Sequence, residues 1–188
     1  MACSTDPDGG DEAGAGDEAL GELRFAVLAA TQSGNALLVA DMVAERLIRR
    51  GAKAAYVLDE GRYPGGDLAD CDVLVACVAS HGEGDVPDGF REVYQALIAG
   101  RPDLSHLRYG LVGLGDRTYA TFCGGAWKVD ALLQMLGARR IGEPCTIDAS
   151  LQPFPDEEAL AWLEAWLPEL WRAPPQEMRA SAGLTGRR

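Results

Sequence analysis

The sequence is poor in basic residues and in candidate metal ligands. Its 188 residues include 17 Lys or Arg against 29 Asp or Glu, so the formal net charge is -12. Nucleic acids select basic surfaces, and this balance therefore argues against a nucleic-acid-binding protein. It favours a protein that docks on a basic partner. The two histidines, His81 and His106, stand apart in the sequence, so we expect no metal site.

Long apolar runs and paired cysteines are missing as well. No apolar run approaches the ~20 residues of a membrane span, and the N-terminus lacks the basic and apolar regions of a signal peptide. The five cysteines are odd in number and form no C-x-x-C pair, which is typical of a reduced compartment. We therefore expect a cytoplasmic protein that does not contact a membrane.

Composition divides the chain into one domain and two tails. Residues 1–22 are rich in Gly, Ala, Asp and Glu without apolar periodicity, which predicts a disordered acidic tail. Residues 172–188 are predicted to form a loose C-terminal tail. Residues 23–171 form one predicted domain, because a hydrophobic content of 47% supports a single sizeable core.

Short apolar runs alternate with amphipathic helical patterns along this domain. Predicted strands cover 25–30, 53–58, 72–78, 107–114 and 139–147, and predicted helices cover 37–49, 90–99, 126–136 and 156–167. The repeated alternation predicts an α/β fold with a doubly wound parallel sheet. Ligands bind such sheets at the carboxyl ends of the strands, where the winding direction reverses. The residues after strands one, three and four are therefore the candidates for a site.

The first strand leads into a polar turn, Thr31-Gln32-Ser33-Gly34-Asn35. A strand that passes into a helix through such a turn aims free backbone N–H groups at the gap, where the helix dipole is positive. Thr31 and Ser33 add hydroxyl donors, Asn35 adds an amide, and Gly34 lets the backbone close around an anion. No Lys or Arg lies in the turn. The pattern predicts either an anion site or a capped turn that holds water or sulfate.

The loops after strands three and four also carry functional signals. They cover residues 79–88 and 113–127, are rich in glycine and contain aromatic rings. Loops of this length are unusual as mere connections. A turn able to bind phosphate, next to two flexible loops that carry aromatic rings, predicts a flat heteroaromatic ligand with a phosphate tail.

Three motifs, in this order, resemble the flavodoxin-like FMN proteins. They are Thr-Gln-Ser-Gly-Asn-Ala at 31–36, Ser-His-Gly-Glu-Gly-Asp at 80–85 and Gly-Leu-Gly-Asp-Arg-Thr-Tyr at 113–119. The resemblance covers about residues 24–170 and is nearest to single-domain MioC-like flavodoxins and to the FMN domains of diflavin reductases such as sulfite reductase flavoprotein. It implies a three-layer α/β/α sandwich with a five-stranded parallel sheet in the order 2-1-3-4-5, of the short-chain flavodoxin type.

The resemblance also implies a cofactor site for FMN without catalytic residues. The phosphate would be held by Thr31, Gln32, Ser33, Gly34, Asn35 and Ala36. One side of the flavin ring would be lined by Ala79, Ser80, His81, Gly82, Glu83 and Gly84, and the other side by Leu114, Gly115, Asp116, Thr118, Tyr119, Phe122 and Cys123. Tyr119 takes the position of the family's stacking tyrosine, whereas His81 stands where many relatives carry Tyr or another residue.

The function implied by the resemblance is electron transfer. The protein would be a monomer that shuttles electrons from an NADPH-dependent flavin reductase to an acceptor enzyme, both with basic surfaces. Negative charge on Glu83, Asp85 and Asp116 would lower the flavin potential by Coulomb repulsion, and Gly82 would permit its peptide to reorient toward the ring.

Two alternatives remain open at the level of sequence. One is a flavin-dependent quinone or nitro reductase that acts on a small molecule and turns over with NAD(P)H alone. The other is a flavodoxin-fold binding module without a cofactor. A nucleotide-hydrolysing P-loop is excluded, because the chain lacks the required Gly-Lys-Ser/Thr sequence.

Overall fold

The structure is a computed structural model that describes residues 20–59 and 67–173, and strands alternate with helices along it. The strands are β1 (Arg24–Ala30), β2 (Ala54–Leu58), β3 (Val73–Ala79), β4 (Arg108–Gly115), β5 (Arg139–Arg140) and β6 (Cys145–Asp148). The helices are α1 (Asn35–Arg49), α2 (Asp88–Gly100), α3 (Gly124–Met135) and α4 (Pro155–Arg172), with a short 3-10 helix at Asp67–Asp70.

The strands form one parallel sheet in the order β2-β1-β3-β4-β5. Phe25 of β1 lies opposite Ala55 of β2 on one side and Val73 of β3 on the other. This confirms the predicted order 2-1-3-4-5. Because neighbouring strands are parallel, the carboxyl ends of β1, β3 and β4 lie side by side at one edge of the sheet.

The fifth predicted strand occupies its expected place but is divided into two, so the sheet has six strands rather than five. β5 pairs with the start of β4, and β6 pairs with the end of β4. Between them, Gly142 has a φ of 65° and Pro144 has no N–H to donate. Both residues prevent a continuous ladder of hydrogen bonds.

Two tryptophans of α4 cover this break. The indole N–H of Trp166 donates to the carbonyl of Ile141 at 2.8 Å, and that of Trp162 donates to the carbonyl of Glu143 at 3.0 Å. The two rings stack with their centroids 5.3 Å apart. They pack closely over Gly110 of β4, where an added Cβ would lie 2.6 Å from Trp162. Carbonyls freed from the sheet are thus satisfied by the covering helix.

The sheet separates two apolar cores. Phe25 and Val27 belong to the core that includes α1 and α4, whereas Ala26 and Leu28 belong to the core that includes α2 and α3. Successive residues of a strand point to opposite faces, and β1 is buried on both, which explains its continuous apolar run. The arrangement confirms the predicted three-layer sandwich.

The described residues begin at Leu20 and end at Ala173, so most of the two predicted tails lies outside them. Leu20 falls within the range predicted as a tail, yet its side chain is 1% exposed and packs into the core beside α1 and α4. Among the described residues, no helix combines the length and the apolar character needed to cross a membrane.

Candidate functional site

A cavity of about 640 Å³ opens at the carboxyl edge of the sheet, a size within the range of cofactor sites. Four segments form its walls: the β1–α1 turn with the start of α1, the β3–α2 loop, the β4–α3 loop and the β6–α4 loop. The lining residues are Ser33, Asn35, Leu38, Ala79, Ser80, Gly82, Leu114, Gly115, Asp116, Tyr119, Thr121, Ile147, Ala149, Gln152, Pro153, Phe154, Pro155 and Asp156. The three segments predicted from the sequence therefore meet at one cavity.

The β1–α1 turn leaves backbone hydrogen-bond donors free at the start of α1. Gly34 has a φ of 89°, and its N–H donates to Thr31 Oγ1 at 2.9 Å. Helix α1 has no side-chain cap and no acidic residue in its first turn. The N–H groups and the positive dipole end of α1 are therefore left for a ligand. Ser33 and Asn35 are exposed and line the cavity at this end, so the turn can bind a phosphate.

The remaining residues of this turn have supporting roles. Gln32 Oε1 accepts the N–H of Asp88, the first residue of α2, at 3.1 Å. Ala36 is completely buried in the core. Thr31, Gln32, Gly34 and Ala36 are not among the residues that line the cavity. Gln32 instead ties the β1–α1 turn to the start of α2, where the β3–α2 loop ends.

A tight turn at residues 81–85 forms the second wall. The carbonyl of His81 accepts the N–H groups of Gly84 and Asp85 at 3.1 and 2.8 Å, and the His81 N–H donates to the Asp85 carbonyl at 2.9 Å. Gly82 has a φ of 53° at the first central position of the turn, which favours glycine there. Gly82 lines the cavity, whereas His81 and Glu83 do not. His81, which was predicted to line one side of the flavin ring, is therefore not among the residues that line the cavity.

The second and third walls are in direct backbone contact through glycines. A Cβ added to Gly124 would lie 2.7 Å from the carbonyl oxygen of Gly84, and one added to Gly125 would lie 2.7 Å from that of Asp85. The N–H of Gly125 also donates to Ser80 Oγ at 3.1 Å. The β3–α2 loop and the start of α3 consequently form one packed unit.

An ion pair strengthens this contact at the surface. Lys128 of α3 lies against Asp85, and its hydrogen bond and charge hold the pKa of the Asp85 carboxyl below its ordinary value. Both side chains are exposed, so salt screens the pair. One of the three carboxylates that the sequence places near the flavin is therefore already paired with a cation.

The β4–α3 loop presents an aromatic ring to the cavity. Asp116 Oδ1 accepts the N–H of Thr118 at 2.7 Å and the Thr118 hydroxyl at 2.5 Å. The Tyr119 N–H donates to the Asp116 carbonyl at 3.2 Å. This compact turn leaves Tyr119 61% exposed with its side chain lining the cavity. A ring held in this way offers a flat surface for stacking.

Phe122 and Cys123, two residues predicted to line this wall, lie elsewhere. Cys123 is completely buried in the core, and burial raises the pKa of its thiol to about 11. Phe122 packs against the same core, with the guanidinium of Arg117 4.3 Å from its ring centre. The backbone of Cys123 has a φ of 55° just before α3. This turn directs both side chains away from the cavity.

Asp148, at the end of β6, links two walls of the cavity but was not among the residues predicted from the sequence. Its side chain is buried, with 3% of the residue exposed. Its Oδ1 accepts the Ser150 N–H at 3.0 Å and the Ser150 hydroxyl at 2.7 Å. The same oxygen accepts the N–H of Arg117 at 3.2 Å. Arg117 Nε lies 3.5 Å from Oδ2. The Ser150 hydroxyl, the backbone N–H donors and the Arg117 charge hold the pKa of Asp148 below its ordinary value, although burial acts in the opposite direction. Asp148 thus joins the third wall to the fourth.

The fourth wall, the β6–α4 loop, was likewise absent from the prediction. It contributes Ala149, Gln152, Pro153 and Phe154 to the cavity lining, together with Pro155 and Asp156 at the start of α4. One signal could have identified it, because β6 ends at the same edge of the sheet as β1, β3 and β4.

The predicted site residues divide into two groups. Those that line the cavity are Ser33, Asn35, Ala79, Ser80, Gly82, Leu114, Gly115, Asp116 and Tyr119. Those that do not line it are Thr31, Gln32, Gly34, Ala36, His81, Glu83, Gly84, Thr118, Phe122 and Cys123. In the second group, Thr31, Gln32, Gly84 and Thr118 shape the turns that position the first.

Comparisons with known proteins agree with this geometry. The sequence model of the flavodoxin family matches residues 27–162. Protein MioC of Escherichia coli O157:H7 is 35% identical over 136 residues, which cover 72% of this chain and 92% of that protein. The sulfite reductase (NADPH) flavoprotein alpha-component of Vibrio cholerae is 32% identical over 130 residues, which cover 69% of this chain and 21% of that protein.

A solved structure extends the likeness to the fold. A mutant flavodoxin from Pseudomonas aeruginosa superposes with a TM-score of 0.73 and 27% identity, over 79% of this chain and 99% of that one. These findings confirm the resemblance to MioC-like proteins and diflavin reductases. The family model spans well over half of the sequence, and the chain therefore belongs to the flavodoxin family.

Proposed function

We propose that this protein is an electron carrier that binds FMN and shuttles electrons between a reductase and an acceptor enzyme. One observation supports it above the others: an uncapped helix N-terminus and an exposed aromatic ring line the same cavity. The cofactor is FMN, in keeping with the flavodoxin family. An anion site beside a flat ring matches a flavin that carries a phosphate tail.

The phosphate would bind at the β1–α1 turn. Ser33 and Asn35 line the cavity there, and no Lys or Arg is among the described residues that line it. Backbone N–H groups, the Ser33 hydroxyl and the Asn35 amide must therefore hold the charge, with the dipole of α1 behind them. This arrangement binds the phosphate without a mobile cationic side chain.

The flavin ring would lie between the Gly82 turn and Tyr119. FMN supplies the redox chemistry, and the protein binds it, orients it and tunes its potential. Asp116 lines the cavity and forms no ion pair with another described residue, whereas Asp85 is paired with Lys128. Negative charge near the ring disfavours added electrons by Coulomb repulsion. Asp116 is therefore the carboxylate expected to lower the potential most.

The partners would be a basic-surfaced, NADPH-dependent flavin reductase and a basic-surfaced acceptor enzyme. The net charge of -12 supports this choice, because opposite charge steers association. The protein would act in the cytoplasm as a monomer. Electron transfer to such a partner should slow as salt increases, and a rate independent of ionic strength would contradict the electrostatic part of the proposal.

The first test is made on the purified full-length protein. Its visible spectrum is recorded, and the chromophore released on denaturation is identified by mass; we expect one FMN per chain. Titration of the apoprotein then compares FMN with riboflavin, which lacks the phosphate. We expect FMN to bind at least about 100-fold tighter, since charge-assisted hydrogen bonds of about 1.5–3 kcal/mol are lost with riboflavin. A colourless protein that also fails to bind added FMN would remove the proposal.

A second test separates a carrier from a stand-alone reductase. The protein is mixed with NADPH and a quinone or nitro acceptor, with and without an added flavin reductase. A carrier turns over only when the reductase is present. Steady turnover with NADPH alone would favour the small-molecule reductase instead.

A further inference from the structure

The fourth wall of the cavity contributes an aromatic ring that the sequence did not predict for the site. Phe154 lies in the β6–α4 loop, lines the cavity and is 60% exposed. Among the described residues that line the cavity, Tyr119 and Phe154 carry the aromatic rings, whereas His81 lies outside the lining. The combination of an exposed ring and a place in the cavity lining makes Phe154 available for contact with a ligand.

The backbone around Phe154 is held in place. Pro153 and Pro155 flank it, which restricts φ on both sides, and Pro155 is the first residue of α4. Upstream, Gln152 Oε1 accepts the Asp148 N–H at 2.8 Å and the Gln152 N–H donates to the Asp148 carbonyl at 2.8 Å. The exposed ring is therefore presented by a fixed loop.

Asp148 connects this loop to the turn that carries Tyr119. Its carboxylate accepts the N–H of Arg117 on one side and the N–H and hydroxyl of Ser150 on the other. The Ala149 N–H adds a bond to the Gly115 carbonyl at 2.8 Å. The third and fourth walls therefore keep a fixed relation to each other.

We propose that Phe154 is a ligand-contact residue of the cofactor site and packs its ring against the bound flavin. The inference depends on the proposed function, because it takes FMN as the ligand. Neighbouring Leu151 provides the contrast: it is 75% exposed in the same loop but does not line the cavity. Leu151 should therefore play no part in binding FMN.

The test compares Phe154→Ala and Phe154→Leu with Leu151→Ala as the matched control, all in the full-length protein. The FMN dissociation constant of each apoprotein is measured by quenching of FMN fluorescence, and thermal unfolding of the apoprotein is followed by circular dichroism. We expect Phe154→Ala to weaken FMN binding by about 10- to 100-fold, which corresponds to loss of one phenyl contact. Phe154→Leu should lose less, and Leu151→Ala should stay within about twofold of wild type.

The outcomes separate this inference from the proposed function. If wild-type protein does not bind FMN, the proposed function fails and the inference fails with it. If wild type binds FMN and Phe154→Ala binds it equally well, the inference is overturned and the proposed function stands. If Phe154→Ala and Leu151→Ala weaken binding equally, the loop acts as a whole and the contact at Phe154 is refuted. Unchanged apoprotein unfolding with selective loss of FMN affinity at Phe154 supports it.

Discussion

The contact between the second and third walls can be tested at a single methyl group. In Gly125→Ala, the new Cβ would lie 2.7 Å from the carbonyl oxygen of Asp85, 2.9 Å from that of Ala79 and 3.3 Å from Ser80 Cα. All three are backbone atoms, so no flexible side chain can move aside. Overpacking of this kind costs about 1–3 kcal/mol. A gain of up to about 1 kcal/mol from placing Ala rather than Gly in a helix opposes it.

The expected net effect of Gly125→Ala is a loss of about 1–2 kcal/mol in the free energy of unfolding. For a chain of this size, that loss lowers Tm by about 2–8 °C. Ala79 and Ser80 also line the cavity, and Ser80 Oγ accepts the Gly125 N–H. Displacing them should weaken FMN binding by about 10-fold, equivalent to about 1.4 kcal/mol.

Urea unfolding of the apoprotein and fluorescence titration with FMN measure the two effects. The control is Gly100→Ala at the end of α2, where an added Cβ meets no atom within 4 Å. That variant should be neutral or more stable by up to about 1 kcal/mol, with unchanged FMN affinity. A Gly125→Ala protein as stable as Gly100→Ala, with wild-type affinity, would show that the walls do not depend on this close approach.

Three further predictions follow from individual residues. In Gly82→Ala, the added Cβ would have open space, but the φ of 53° disfavours any residue other than glycine. The free energy of unfolding of the apoprotein, measured in urea, should therefore fall by about 1–2 kcal/mol. A redox titration of bound FMN shows whether the strained turn also shifts the flavin potential. Tyr109 lies near the start of β4, away from the cavity, and its hydroxyl donates a buried 2.7 Å hydrogen bond to Asp130. Tyr109→Phe removes this bond and should lower the free energy of unfolding, measured in urea, by about 1–3 kcal/mol without changing FMN affinity. The pKa of Asp148 is lowered by folding, so its stabilisation is present at neutral pH and lost as pH falls below about 4; in urea titrations across pH, Asp148→Asn should show a shallower loss of stability in acid than wild type.

The sheet could be predicted because its signals are local. The apolar run of β1 reads as a strand buried on both faces, and alternate residues such as Phe25 and Ala26 do enter different cores. The division of the fifth strand had no such signal beyond Gly142 and Pro144. Two indole N–H donors from α4 satisfy the carbonyls at this break. Each donor lies 19 or 25 residues from its acceptor in sequence, and a pairing over that distance cannot be predicted from a sequence pattern.

The site was predictable where sequence neighbours share a turn, and less so where distant segments meet. Tyr119 lines the cavity as expected, but Phe122 and Cys123, further along the same loop, do not, because the chain turns at Cys123 to begin α3. The role of Asp148 depends on Arg117, 31 residues away, and is visible only once the two loops are side by side. Phe154 lies in the loop after the fifth predicted strand, and that loop starts from the same edge of the sheet as the three predicted segments.

The groups that hold the cavity walls together in this site differ from the groups that are exposed to a ligand. The walls are fixed by backbone contacts at Gly124 and Gly125 and by the carboxylate of Asp148, whereas the rings of Tyr119 and Phe154 remain exposed. A site built in this way orders few groups when a ligand binds, so little affinity is lost to that ordering. Substitutions in the walls should then lower stability and affinity together, and substitutions of the rings should lower affinity alone. Measuring both quantities for each variant therefore separates what the fold requires from what the cofactor requires.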